Sequence, residues 1–179
     1  MQTNTASDGG GSRLATALLM FATVLVGLMA GLFFAFDVSV MPGLARGDDR
    51  TYVTAMQNIN AVIDGNALFG TVFVGALLAA AASAAVELRG GRRGVAVWAG
   101  AAAVLYLVVL VVTFTVNIPL NNELAAAAAG DAARTAGFPI VDRFKGTWVT
   151  TNIVRTLCST AALVALVRAL VLYGRATRR

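Results

Sequence analysis

The side chains of this chain that could do chemistry are amides, acids and one guanidinium, set at the edges of apolar runs. Trp148, Asn152, Arg155 and Ser159 stand at i, i+4, i+7 and i+11, one face of a helix. Thr113, Asn117 and Asn121 are four apart, with Pro119 distorting the last turn. Asn60 and Asp64 are four apart as well, and Asp37 closes the first apolar run. Polar groups in apolar surroundings are costly unless satisfied, so they turn inward and pair. The spacing therefore predicts that these faces converge with Asp37 and Asp64 on a pocket at one end of the helices. Two readings of that convergence stand. In one it is a clasp, with Arg155 paired to Asp37, Asp64 or Glu123 and the asparagines capping helix ends. In the other it is a binding pocket, because the polar groups outnumber what four helix ends require.

What is absent narrows the chemistry. The chain has no histidine and one cysteine, Cys158. Ser-His-Asp catalysis, the usual zinc sites, histidine-ligated haem and an internal disulfide framework are excluded. Met20, Met29 and Met41 read as packing rather than ligands.

The elements that must position these groups are membrane spans. Of 179 residues, 58% are hydrophobic and 13% charged, with mean hydropathy +0.77. A soluble domain is nearer half apolar and a quarter charged. No charge interrupts Leu14 to Phe36, Ala67 to Val86 or Val95 to Val116. Thr156 to Val167 is a fourth run, extended past Arg168 by Leu170 to Tyr173. A span needs about 20 apolar residues. The expectation is an all-α, integral membrane four-helix bundle with spans at about 14–37, 66–87, 95–117 and 153–173. The first run is too long for the core of a cleaved signal peptide and is expected to be retained.

Orientation follows from the arginines. Arg13, Arg89, Arg92, Arg93, Arg168, Arg175, Arg178 and Arg179, eight of the 14 basic residues, fall on one side. The other six are Arg46, Arg50, Arg134, Arg143, Lys145 and Arg155, spread over longer connections. The positive-inside rule puts both termini in the cytoplasm and the polar cluster at the outer face. A multi-pass plasma-membrane protein in contact with anionic lipid explains the net charge of +5. No basic stripe with interleaved aromatics points to nucleic acid.

Short extra helices are expected in both outer connections. The first has Asp48, Asp49 and Thr51 as cap candidates and an apolar face at Val53, Met56, Ile59 and Val62 to Ile63. The second holds the alanine-rich "LAAAAAGDAARTAG", a frayed helix or loop, before a helix resumes at Ile140. Residues 1–12 read as a flexible polar tail, 13–174 as a single domain and 175–179 as a basic tail. Gly27 with Gly31, Gly75 with Ala79 and Ala96 with Gly100 are small-residue pairs suited to close helix packing; an oligomer is left open.

"VNIPLNNEL", followed by Trp148, Asn152 and Arg155 in a W-x-x-x-N-x-x-R pattern, resembles the anthrone oxygenase family. "GLFFAFDVSVMPGL" and "MQNINAVIDGN" extend the resemblance from the first to the fourth helix. It implies a four-helix membrane bundle. For some members it also implies oxidation of an anthrone to an anthraquinone by O₂ without metal or flavin, so no cofactor is expected. Such chemistry needs a base, for which Asp64 or Asp37 serves, with Arg155 as anion stabiliser beside them. Asn117, Asn121, Asn152 and Asn60 would bind the substrate, and Trp148 and Phe34 would line a slot for flat rings. The alternative is a non-catalytic protein binding a lipid or hydrophobic metabolite, or a structural subunit. A transporter is disfavoured, because no charge lies deep within the first three helices.

Overall fold

The computed structural model describes residues 6–129 and 140–177. The order is α1 (Ala6–Ala35), a π-helical turn (Phe36–Val40), α2 (Met41–Leu44), α3 (Asp49–Asp64) and α4 (Ala67–Arg89). There follow α5 (Arg93–Val112), a second π turn (Thr113–Asn117), α6 (Ile118–Ala129) and α7 (Ile140–Ala176). No strand occurs among the described residues. Four helical stretches are long and apolar enough to cross a membrane: Arg13–Leu44, Ala67–Arg89, Arg93–Ala126 and Val141–Ala176. The backbone is helical from Ala6, inside the stretch whose composition suggests a tail; glycines weaken a helix without having to end it. Part of the alanine-rich connection, through Ala129, continues the third span as α6, and the rest lies outside the described residues.

Apolar residues cover these helices on most sides, so polarity alone does not sort inside from outside. Ala15, Ala22, Ala76, Ala80, Ala99, Ala102, Ala162, Ala165 and Ala169 are buried where helices meet. Leu14, Phe21 and Leu28, then Val97, Val104 and Val111, then Leu157, Val164 and Val171 are exposed at seven-residue intervals. Lipid is as apolar as leucine, so small residues and close backbones mark the interfaces. Of the predicted small-residue pairs, Gly75 meets Leu25 and Gly27 meets Leu163, but Gly31 is exposed with no neighbour.

Three of the four spans are too long for a bilayer. At 32, 34 and 36 residues they reach about 48–54 Å, against roughly 30 Å of hydrocarbon. The fourth, α4, has 23 residues. The surplus projects at the end opposite the termini, here the distal end. There α3 packs across α6 and the start of α7, and Tyr52, Val53, Met56, Leu120, Leu124, Val141 and Phe144 build a second core. α3 is amphipathic as expected, although Val62 is exposed. Asp48 is its cap, its carboxylate accepting the Thr51 N–H at 2.7 Å. Lys145 ties α7 to Asp49 at 3.0 Å, and Arg143 pairs with Glu123.

At the terminal end, Gly91 takes φ +73° in the α4–α5 turn, a left-handed position suited to glycine. The Arg92 N–H bonds the Glu87 carbonyl at 2.9 Å and the Gly91 N–H bonds that of Leu88 at 3.1 Å, a Schellman closure. Glu87, fully buried, is paired with the Arg92 guanidinium, which lies over the Tyr173 ring.

Candidate functional site

Each π turn ends two residues before a proline, Pro42 in one case and Pro119 in the other. Proline has no N–H, and its ring collides with the carbonyl four residues back. Widening the preceding turn avoids that collision. The Met41 N–H reaches the Phe36 carbonyl, and the Ile118 N–H that of Thr113, each five residues back. The extra residue re-aims Asp37 in the first turn and Asn117 in the second. Single π turns inside α-helices recur at functional sites.

From these turns and α7 a buried polar chain is built. The Asp37 carboxylate accepts from Asn152 Nδ2 at 2.5 Å and from the Thr156 hydroxyl at 2.5 Å. Asn152, fully buried, also donates to the Phe33 carbonyl at 2.9 Å. A carboxylate only accepts, so the amide must turn its NH₂ to Asp37 and its oxygen the other way. That oxygen accepts from Arg155 Nη2 at 2.7 Å. Arg155, only 6% exposed, also reaches the Thr113 hydroxyl at 3.4 Å and lies over the rings of Phe33 (4.6 Å) and Trp148 (5.2 Å). Trp148 Nε1–H donates to Asn121 Oδ1 at 3.0 Å, and Asn117 Nδ2 to the Thr151 hydroxyl at 3.0 Å.

Two atoms in this group are left over. Arg155 Nε and Asn117 Oδ1 are buried without a hydrogen-bond partner. Among the described residues no carboxylate forms an ion pair with Arg155: Glu123 is taken by Arg143, and Asp37 is reached only through the Asn152 amide. The guanidinium is stacked and hydrogen-bonded, but no anion touches it.

Several of these residues line a cavity of about 320 Å³ at the seam between the bundle core and the distal core. That volume lies at the small end of ligand pockets, which run from roughly 300 to 1,000 Å³. Phe33, Phe36, Phe69, Phe73 and Trp148 give it aromatic walls. Arg155, Asn152, Asn117, Asn121, Asn60 and Asp64 all line it. Asp64 and Asn60 come from α3, which lies across the mouth.

Two expected members lie elsewhere. Asp37 does not line the cavity but stands behind Asn152. Phe34 is 55% exposed and faces away; Phe33 takes the expected place. Phe33 lies four residues before Asp37 and Phe34 three, so both spacings fit its face; Phe33 turns inward, and Phe34, about 100° round the helix from Phe33, turns out. The hydroxyls of Thr151 and Thr156 are also members that sequence reasoning missed. Thr156 had a signal, since it lies four residues after Asn152. No group of three or more His, Cys, Asp or Glu side chains that could hold a metal occurs among the described residues.

A family model described as anthrone oxygenase matches residues 60–165, more than half of the chain. The chain belongs to the anthrone oxygenase family. The matched stretch begins at Asn60 and includes Asp64, Asn117, Asn121, Trp148, Asn152 and Arg155. Asp37 and Phe33 precede it, so the family match covers the guanidinium and its amide but not the carboxylate behind them. Comparisons with curated proteins and with solved structures return no match.

Proposed function

We propose that the cavity binds a flat aromatic carrying an acidic C–H beside a carbonyl and promotes its oxidation by O₂, as the family's name describes for an anthrone. One observation carries this reading. Arg155 is a buried cation whose nearest carboxylate is held off by an amide. An amide-spaced pair keeps the site near neutral without quenching the cation, so an anion forming in the cavity has a preorganised partner. The aromatic walls suit fused rings.

The reaction balances without another reductant. An anthrone and O₂ give an anthraquinone and water. Asp64, on the rim, takes one methylene proton, and the negative charge moves onto the carbonyl oxygen beside Arg155. The electron-rich carbon joins O₂ to give a hydroperoxide once protonated. Loss of the second C–H proton then breaks the O–O bond, and the departing hydroxide leaves as water. Of the two candidate bases, Asp64 is preferred because it lines the cavity, while both oxygens of Asp37 are engaged.

The test is O₂ uptake by purified protein in lipid, supplied with anthrone. We expect uptake above the lipid-only rate. Arg155→Ala should lower it by about 10²–10³-fold, the effect of removing an oxyanion donor, and Asp64→Asn should slow it as well. Uptake equal in wild type and both variants would dismiss the reading. The apolar walls also favour a second reading, binding of a hydrophobic molecule without turnover. Saturable anthrone binding with no O₂ uptake would select it.

A further inference from the structure

Three residues of the cavity wall have an unusual position. Gly70, Val74 and Phe114 line the cavity and are also exposed on the outer surface of the helices, beside Asp64, Asn66 and Ala67, which do so at the distal rim. Val74 is 40% and Phe114 52% exposed. Here the wall between cavity and surface is one side chain thick. A Cβ built on Gly70 would meet nothing within 4 Å, so the wall has a gap there.

The depth of that gap decides what can enter. Gly70 and Val74 lie about one and two turns inside α4, some 5–10 Å from its start at Ala67. With 23 residues, α4 has little more than the length of the hydrocarbon layer. Val74 and Phe114 beside the opening are apolar and exposed. Below it, Phe73 packs against Phe69, Phe114 and Tyr106, and the Tyr106 hydroxyl bonds the Phe73 carbonyl at 3.2 Å, forming a floor. Toward the distal end, α3 lays Asn60, Ile63 and Asp64 across the cavity.

We propose that the cavity opens sideways into the bilayer between α4 and the second π turn, and that it takes an apolar ligand dissolved among the acyl chains. Gly70 is the threshold of this opening. The proposal rests on the cavity being a ligand site, and not on the ligand being oxidised. α3 then serves as a polar cover that brings Asp64 to the ligand, while the ring system slides in under it.

The test uses the chain's two tryptophans. In a Trp98→Phe background, Trp148 alone reports on the cavity. The protein is placed in nanodiscs of phosphatidylcholine brominated at mid-chain, and Trp148 emission is compared with that in unbrominated lipid. We expect clear quenching, reduced at least twofold by Gly70→Phe and unchanged by Gly70→Ala. Acrylamide, added from water, should quench Trp148 weakly and equally in all three. Quenching by brominated chains that is the same with Gly70→Phe would overturn the proposal, as would stronger access from water than from lipid. Phe114→Ala, which widens the gap without adding bulk, should increase quenching by lipid; no increase counts against the opening. Failure here and failure of the oxidation reading are distinguishable. Anthrone turnover that Gly70→Phe leaves unaltered removes the opening and keeps the chemistry. Gly70-dependent lipid quenching without anthrone turnover does the reverse.

Discussion

Asn152 has a double task at this site. It must donate to a carboxylate and accept from a guanidinium at once, and an amide carries a donor and an acceptor in one rigid plane. Asp37 enforces that polarity from behind. Asp37→Asn keeps the shape but removes the charged acceptor that, with the Phe33 carbonyl, holds the Asn152 amide, so the acceptor for Arg155 is held less firmly. A charge-assisted hydrogen bond contributes about 1.5–3 kcal/mol, so anthrone affinity should fall roughly tenfold or more, measured by Trp148 quenching. Retained affinity would show that Asp37 does not position Arg155. The polar members were legible because amides and a guanidinium beside apolar runs are rare and fall at helical spacing. Thr156 and Thr151 were not, because a threonine in a span ordinarily bonds its own helix, as Thr113, Thr115 and Thr150 do here. Phe34 misled for a related reason. In an all-apolar helix nothing marks the inward face except the polar residue one turn on.

At the scale of elements, the site depends on two irregular helices and one regular one. The π turns explain how prolines can follow Asp37 and Asn117 so closely while the spans continue into α2 and α6. Pro119 signalled a distorted turn in the sequence; its form, a widened turn, depends on neighbours that pattern alone does not show. The cover, α3, is held by its cap. The Thr51 N–H lowers the Asp48 carboxyl below its usual 3.8. The folded value is depressed, so the stabilisation is present above 3.8 and fades as pH falls through the folded value. Protection of α3 amides from hydrogen exchange, corrected for the intrinsic rate, should be level from pH 5 to 7 and drop below about 4. Asp48→Asn, an equally good cap, should flatten that drop. A drop unaltered by the substitution would assign it to another group.

For the whole molecule, burial of Arg155 changes the charge comparison between the two ends. It is not a loop charge, which leaves five basic residues at the distal end against eight at the other. The arginines of the terminal end therefore outweigh the distal ones more than a simple count suggests. Reporter fusions at either terminus should both read as cytoplasmic; an extracytoplasmic signal from either would reverse the assignment. The bundle itself was legible from run lengths alone. The overshoot of three spans was not, because α6 and the first turns of α7 mix polar and apolar residues as any water-facing helix does. That overshoot gives the molecule two cores in two solvents, and the cavity lies on the boundary between them. Urea acts on the watery core and scarcely on the one in lipid, so the distal half can loosen while the rest holds. A circular dichroism spectrum, dominated by the spans, would then look native for a protein whose cavity had already come apart.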